Sequence, residues 1–153
     1  MSRPINALVT GSTRGIGAAI VDGLRGKGAR VIGHGREDGD AVVGADLVER
    51  GAADRLWQQA LQRFDGRIDV LINNAGVFEP VAPDAALDEW QTAWGRTLQI
   101  NLQASADLCR RAVFIGKRAA PPAGSSTSPA GLRTWATRRC IGTTLRLRPA
   151  WSL

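Results

Sequence analysis

Residues 5–17 have the sequence INALVTGSTRGIG, and this stretch decides the fold. The run from Ile5 to Thr10 is short and mostly apolar, as expected of a strand buried in a parallel sheet. A glycine-rich turn follows, and from Ile16 onward apolar residues recur at the four-residue spacing of a helix. The stretch therefore predicts a strand, a tight turn and a helix in direct succession.

The rest of the first 115 residues repeats this alternation of strands and helices. Gly26 and Gly28 are expected to end the first helix, since glycine favours helix C-termini. Further strands are predicted at residues 29–34, 41–45 and 68–73, and further helical regions at 49–64 and 84–114. Whether the second of these regions is continuous or broken is left open. Because strands that alternate with helices form parallel sheets, we predict an α/β fold with a Rossmann-like doubly wound parallel sheet of about four strands.

The turn Thr10–Gly17 is the first candidate site. Glycine adopts positive φ and carries no Cβ that would keep a phosphate from the backbone. The helix that follows offers free N–H groups and the positive end of its dipole, which favour a pyrophosphate. Parallel strands with right-handed crossovers all end at one edge of the sheet, where ligands bind. A nucleotide is therefore the favoured ligand, and a tight turn without a ligand is the alternative.

Three features of the sequence together carry a family resemblance. The turn has the pattern T-G-x-x-x-G-x-G, the sequence NNAG at residues 73–76 follows the fourth predicted strand, and Asn101 lies in the segment LQINL. In these features residues 4–114 resemble the short-chain dehydrogenase/reductase family. The resemblance implies an NAD(P)(H)-dependent oxidoreductase that reduces a carbonyl or oxidises a secondary alcohol of a small-molecule substrate. It also implies that Asn101 belongs to the catalytic set of Asn, Ser, Tyr and Lys.

The resemblance assigns the cofactor site to the glycine-rich turn, the residues after the second and third strands, and the NNAG segment. Its members are Gly11, Ser12, Thr13, Arg14, Gly15, Ile16, Gly17, Arg36, Asp46, Leu47, Asn74, Ala75 and Gly76. In the family, an acid at the position of Asp46 meets the adenine amine. A carboxylate at the start of the next helix is the alternative reading of Asp46.

The end of the second predicted strand bears on which nicotinamide cofactor is bound. Position 35, where the family's NAD enzymes carry an acid, is glycine, and Arg36 follows it. Arg14 is a second cation, and two guanidinium groups suit the 2′-phosphate of NADP. We therefore predict NADP(H) in preference to NAD(H). The alternatives are that both arginines are solvated, or that Glu37 and Asp38 bind a ribose because the strand ends two residues later.

His34 is the single histidine of the chain and lies near the end of the second predicted strand. It could act as a general base. Because no cluster of partner residues is visible in the sequence, a pocket wall or an exposed loop position is favoured instead.

Part of the chemistry that the resemblance implies has no residues to perform it. The family's proton donor is a tyrosine followed four residues later by a lysine, but the 153 residues contain no tyrosine and no lysine after Lys117. Ser125, Ser126 and Ser128 fall in the zone of the family's serine without the apolar strand that should precede it. We therefore expect an incomplete sheet and little or no turnover, which leaves a non-catalytic NADP(H)-binding module as an alternative.

The composition changes abruptly after residue 115. All fourteen acidic residues lie in 1–115, whereas 116–153 hold seven lysines and arginines and no acid. We predict a dinucleotide-binding region at 1–115 and an irregular basic tail at 116–153, rich in Arg, Pro, Ala, Gly and Ser. A reading frame shifted near Gly116 would produce such a sequence. A genuine basic tail that binds nucleic acid or an anionic surface is the alternative.

Composition excludes several classes of protein. With 44% hydrophobic and 22% charged residues, the chain is neither wholly disordered nor collagen-like. No apolar stretch is long enough to span a membrane, and the N-terminus lacks the pattern of a signal peptide. Cys109 and Cys140 have no metal-ligand or redox spacing. We therefore expect a cytoplasmic protein with no metal site and no membrane or nucleic-acid partner, and the oligomeric state stays open.

Overall fold

The computed structural model describes residues 3–118 and 144–146 of the chain. The strands are β1 (Asn6–Val9), β2 (Arg30–Gly35), β3 (Val42–Gly44), β4 (Val70–Ile72) and β5 (Thr144–Arg146). They form one sheet in the order β3-β2-β1-β4-β5. The first four strands are parallel, and β5 is antiparallel to β4.

Helices cover both faces of this sheet. They are α1 (Gly15–Arg25), α2 (Ala52–Arg63), α3 (Leu87–Leu98) and α4 (Ala104–Arg118), and a π-helical turn at Gln99–Gln103 joins α3 to α4. Along β1, Ala7 and Val9 pack with Val21 of α1, whereas Leu8 packs with Leu56 of α2 in the cluster that also includes α4. Because alternate residues of one strand face opposite helical layers, the sheet is doubly wound, and the predicted Rossmann-like fold is confirmed.

The strand order places the candidate site. Val9, at the end of β1, pairs with Gly33 of β2 on one side and Ile72 of β4 on the other. The chain builds outward from β1 through β2 and β3, then returns to add β4 on the opposite side. Ligands of doubly wound sheets bind in the crevice at such a reversal, outside the carboxyl ends of the strands. That crevice lies between the residues that follow β1 and those that follow β4.

The structure confirms the four predicted strands and adds two features. The long helical region predicted at 84–114 is divided by the π-helical turn between α3 and α4. Three residues of the tail, Thr144–Arg146, form the antiparallel strand β5, although the tail was predicted to be irregular. An antiparallel strand adds to a sheet edge without a crossover helix, so this short pairing needs no further element. The rest of the predicted tail beyond Arg118, including Ser125, Ser126 and Ser128, lies outside the described residues.

Helix α3 differs from the other helices because none of its residues is buried in the described structure. Leu87, Trp90, Trp94 and Leu98 are exposed, and the rings of the two tryptophans lie 6.0 Å apart. A half-open cavity of about 360 Å³ separates α3 from the segment after β4 and is lined mainly by Phe78, Pro80, Val81, Trp90, Ala93 and Trp94. Within the described ranges, no helix has both the length and the apolar character needed to cross a bilayer.

Candidate functional site

Hydrogen bonds from Thr10 and Asn74 join the glycine-rich turn to the NNAG segment. The Thr10 Oγ1 accepts hydrogen bonds from the backbone N–H groups of Asn74 (2.9 Å) and Ala75 (3.0 Å). The Asn74 Nδ2 donates to the carbonyl oxygens of Thr10 (3.1 Å) and Gly11 (2.9 Å). Because the two segments follow the neighbouring strands β1 and β4, these bonds fix the walls of the crevice relative to each other.

Two glycines of the turn are required by close packing, and a third faces open space. Gly11 has φ +61°, and a Cβ there would lie 2.7 Å from the Ala75 Cα. A Cβ on Gly17 would lie 2.1 Å from the Gly11 carbonyl oxygen and 2.6 Å from the Asn74 Nδ2. At Gly15, with φ +56°, a Cβ would meet nothing within 4 Å. The turn is therefore tightly packed on its inner side and open at the start of α1.

The start of α1 is suited to an anion. Arg14 precedes the helix in an extended conformation, no side chain caps the first turn, and that turn contains no acid. The first N–H groups of a helix have no partner within it, so they are available to a ligand, and the helix dipole favours negative charge there. By contrast, α2 has Asp54 in its first turn, and α3 has Asp88 and Glu89. The open space at Gly15 and the uncapped N–H groups fit the pyrophosphate of a dinucleotide.

The two predicted phosphate-binding arginines are both exposed. Within residues 3–118, neither guanidinium of Arg14 or Arg36 forms a hydrogen bond or an ion pair. Strand β2 ends at Gly35, one residue beyond the predicted strand 29–34, and Arg36 follows it. A Cβ at position 35 would lie 2.5 Å from the Thr13 Cγ2, so an acidic side chain there would require Thr13 to move.

The alternative ribose ligand Asp38 already has partners. Its Oδ1 accepts a hydrogen bond from the Gly44 N–H (3.0 Å) and lies 3.3 Å from the Arg63 Nη2. Arg63 also donates to the carbonyl oxygens of Gly39 and Val42. Asp38 therefore stabilises the loop between β2 and β3, while the neighbouring Glu37 is exposed.

Ser12 and His34 connect the turn to β2. The His34 carbonyl accepts a hydrogen bond from the Ser12 N–H (2.9 Å), and the Ser12 Oγ accepts one from the His34 N–H (2.8 Å). The His34 ring contacts Gly11 and Ala45, and burial lowers its pKa from the ordinary value. Of the two positions predicted for His34, the exposed loop is wrong, because the turn folds over the end of β2 and buries the ring, and the pocket wall stays a prediction.

The other predicted cofactor residues differ in exposure. Ile16 projects from the first turn of α1 and is 75% exposed, whereas Leu47 is buried in the core beside α2. Asp46 is exposed, and its Oδ1 accepts a hydrogen bond from the Val48 N–H (3.0 Å). Because α2 begins only at Ala52, Asp46 stabilises a turn and does not cap the helix.

Asn101 lies within the π-helical turn and contacts the segment after NNAG. Its Oδ1 accepts a hydrogen bond from the Val77 N–H, and its Nδ2 donates to the Val77 carbonyl, both at 2.8 Å. A Cβ on Gly76 would lie 3.4 Å from the same Oδ1. The structure therefore brings Asn101 to the NNAG segment, with its side-chain amide already paired. Its catalytic role stays a prediction.

Sequence reasoning missed two residues that organise the site. Thr10 opens the T-G-x-x-x-G-x-G pattern, so its position in the motif was a usable signal for a structural role. His34 gave no comparable signal, because its partners lie 23 and 11 residues away in the chain. The described residues include no group of three or more His, Cys, Asp or Glu that could hold a metal ion.

Comparison with known proteins matches residues 6–118 to the family model described as short chain dehydrogenase. The trans-4-hydroxycyclohexanecarboxylate dehydrogenase of Sinomonas cyclohexanicum is 42% identical over 65 residues, which are 42% of this chain and 20% of that protein. This stretch is short relative to the dehydrogenase, so the likeness concerns one part of its fold.

Two solved structures are similar over most of the described chain. A blue fluorescent protein from a metagenomic library, in complex with NADPH, is 28% identical with a TM-score of 0.60, over 72% of this chain and 50% of that one. An NADH-dependent reductase responsible for alginate metabolism is 25% identical with a TM-score of 0.65, over 76% and 52%. The chain therefore spans about half the length of these solved relatives.

Proposed function

Because the chain belongs to the short-chain dehydrogenase family, whose members are oxidoreductases that bind NAD(P), we propose that residues 6–118 bind NADP(H) at the carboxyl edge of the sheet. The observation that carries the proposal is the open, uncapped start of α1 beside Gly15. The pyrophosphate would accept hydrogen bonds from N–H groups of residues 14–17. The NNAG segment, held by Thr10, would line the cofactor farther along the edge.

The preference for NADP(H) rests on the residues around the end of β2. Gly35 leaves no carboxylate for the adenosine ribose, and Asp38 is engaged by Gly44 and Arg63. Arg14 and Arg36 have no competing partner within residues 3–118, so both are available to a 2′-phosphate. The solved relatives include one in complex with NADPH and one that is NADH-dependent, so they support either cofactor.

The remaining predicted residues would complete the site. Asp46 is exposed beside buried Leu47. Its Oδ1 accepts a hydrogen bond from the Val48 N–H, and its Oδ2 would meet an adenine amine at the end of β3. Asn101 fixes Val77 and thereby the position of the NNAG segment, against which the nicotinamide would lie. These roles follow from family resemblance together with the positions that the fold gives these residues.

We expect binding without efficient turnover. Bound NADPH would supply a hydride to a carbonyl. The alkoxide that forms requires a proton donor, and these 153 residues contain no tyrosine to serve as one. A spectrophotometric assay with a panel of small ketones and aldehydes should show no NADPH oxidation above the rate without protein. Oxidation that depends on substrate would contradict this part of the proposal.

The composition beyond residue 115 is proposed to result from a reading frame shifted near Gly116, which separates a dinucleotide-binding region at 1–115 from the basic residues 116–153. Sequencing the gene tests this directly. A second frame that encodes an apolar strand, a serine and a Tyr-x-x-x-Lys pair would support it, and the absence of such a frame would contradict it.

The cytoplasm is the proposed location, since neither cysteine lies in a disulfide-scaffold or metal-ligand spacing.

The cofactor proposal is tested by competition between 2′,5′-ADP and 5′-AMP, which differ only in the 2′-phosphate. Displacement of bound NADPH should require less 2′,5′-ADP than 5′-AMP. Replacing Arg14 or Arg36 by alanine should weaken 2′,5′-ADP binding by about tenfold each while leaving 5′-AMP unchanged. The control is Arg3→Ala, since Arg3 precedes β1 at the opposite edge. Equal affinities for the two nucleotides would overturn the preference.

A further inference from the structure

The imidazole of His34 bridges two segments of the proposed site. Its Nδ1 lies 3.1 Å from the Gly11 backbone nitrogen, and its Nε2 lies 3.0 Å from the Ala45 carbonyl oxygen. A backbone N–H only donates and a carbonyl only accepts, so these partners determine where the ring proton is. Nδ1 must be unprotonated to accept from Gly11, and Nε2 must carry the proton that it donates to Ala45. The ring is therefore neutral and in one tautomer.

The backbone of His34 is fixed as firmly as its ring. The Ser12 N–H donates to the His34 carbonyl, and the Ser12 Oγ accepts from the His34 N–H. A Cβ on the preceding residue, Gly33, would lie 2.2 Å from the Ser12 Oγ, so the serine is packed directly against β2. The residue is 5% exposed, so the ring is enclosed by protein.

We propose that His34 is a positioning residue for the dinucleotide, holding the glycine-rich turn at Gly11 and the segment that leads to Asp46 in one fixed arrangement. Gly11 is the first left-handed residue of the turn, and Ala45 immediately precedes the proposed adenine ligand. One side chain thus connects the phosphate side of the site to its adenine side. This inference rests on the proposed function, because it assigns a role within that site.

The arrangement requires the neutral ring, so it is sensitive to acid. A proton on Nδ1 would place two N–H donors opposite each other and leave the Gly11 N–H without an acceptor. Burial lowers the pKa of the ring and outweighs the two influences that raise it, which are the hydrogen bond to the Ala45 carbonyl and the charge of Asp46 at the end of β3. The bonded arrangement is complete above the ordinary pKa of 6.5 and is lost as the pH falls through the lower pKa of the folded state.

The test uses the fact that the chain has a single histidine, so its ring signals in an NMR spectrum need no assignment. Nitrogen-15 spectra of the full chain at neutral pH should show Nδ1 unprotonated and Nε2 protonated, without any ligand. The opposite tautomer, or a charged ring at neutral pH, would overturn the inference. This measurement does not depend on cofactor binding, so it stands even if NADP(H) binding fails.

NADPH titrations of two variants test the role of His34 in binding. His34→Gln offers an acceptor and a donor but does not titrate, whereas His34→Leu offers neither. His34→Leu should weaken NADPH binding by about tenfold at neutral pH, and His34→Gln should restore most of the affinity. Affinity of His34→Leu equal to that of the unchanged chain would overturn the positioning role, as would failure of His34→Gln to restore it.

The pH profile separates positioning from a merely structural role. The 2′-phosphate of NADPH titrates near pH 6 itself, so both chains lose some affinity in acid. The unchanged chain should lose about tenfold more than His34→Gln on acidification to about pH 5. Identical profiles for the two chains would contradict the inference.

If circular dichroism shows that His34→Leu does not fold, the pH profile of His34→Gln still tests the inference. If neither chain binds NADPH at any pH, the proposed function fails. The tautomer measurement is then the test of the contacts of His34.

Discussion

Two regions of the described chain, residues 3–76 and 77–118, differ in how well their apolar side chains are packed. Between β1 and the NNAG segment, strands and helices form two buried apolar clusters, and the Asn74 side chain is hydrogen-bonded to the turn. From Val77 to Arg118, α4 is packed against α2, but α3 buries no residue and exposes two tryptophans. The first region is therefore stabilised by its own contacts, whereas the apolar face of α3 has no cover within the described residues.

The two asparagines of the NNAG segment differ in how their side chains are paired. The Asn74 amide has both its partners in the turn, whereas the neighbouring Asn73 has a buried Oδ1 with no hydrogen-bond partner in the described structure. The solved relatives are about twice as long as the matched part of this chain. The comparison thus predicts that substitutions in the first region are costly and that equivalent substitutions in α3 are nearly neutral.

The largest expected difference comes from the same substitution in both regions. Leu56 of α2 is fully buried, and Leu98 of α3 is 48% exposed. Leu56→Ala should lower the free energy of unfolding by about 4 kcal/mol through lost burial and a cavity. Leu98→Ala should lower it by less than about 1 kcal/mol. Urea unfolding measures both, and similar losses would show that the face of α3 is covered after all.

Gly17 and Gly95 provide a second matched pair of substitutions, one in each region. Gly17→Ala would place a Cβ against the Gly11 carbonyl and should cost about 3 kcal/mol together with NADPH binding. Gly95→Ala in α3 meets nothing within 4 Å and should stabilise the chain by about 0.5 kcal/mol through its helix propensity. Thermal unfolding of the two variants is the measurement. A neutral Gly17→Ala would refute the close packing of the turn.

Amide side chains give a smaller effect. Asn74→Ala removes two hydrogen bonds to the turn and should cost about 2 kcal/mol and weaken NADPH binding. The matched change in the second region is Gln103→Ala, which removes an exposed bond to Asp107 and should cost less than about 0.5 kcal/mol. Comparable losses in chemical denaturation would argue against the distinct role of Asn74.

The ion pair that joins the two regions has the smallest expected effect. Arg111 of α4 donates from Nε and Nη2 to the carboxylate of Asp54 in α2, and these hydrogen bonds lower the Asp54 pKa. The contribution to stability is present above the ordinary pKa of 3.8 and lost as the pH falls through the lower folded-state value. Arg111→Gln should therefore flatten the acid dependence of the melting temperature, whereas the exposed Arg50→Gln should leave it unchanged.

The sequence predicts the strands well because strands covered on both faces must be largely apolar, as β1 and β4 are. It also predicts the start of α1, since its glycines are needed where backbone approaches backbone. The π-helical turn at Asn101 adds one residue to a helix and changes no composition, so nothing in the sequence marks it. Strand β5 joins the sheet edge through backbone pairing, which requires no apolar run.

The candidate site combines motifs that are local in the sequence with contacts between residues far apart in the chain. The turn and the NNAG segment are local motifs, and the structure brings them together. The role of His34 depends on Gly11 and Ala45, which only the parallel order of β1, β2 and β3 brings to its ring. The contacts of His34 are therefore not readable from the residues next to it in the sequence.

The most direct test of the account is a crystal structure of the chain with NADPH. The pyrophosphate oxygens should lie within hydrogen-bond distance of backbone N–H groups at the start of α1, and the 2′-phosphate should lie between the guanidinium groups of Arg14 and Arg36. An empty turn at saturating NADPH, or a dinucleotide bound with its 2′-phosphate away from both arginines, would contradict the account.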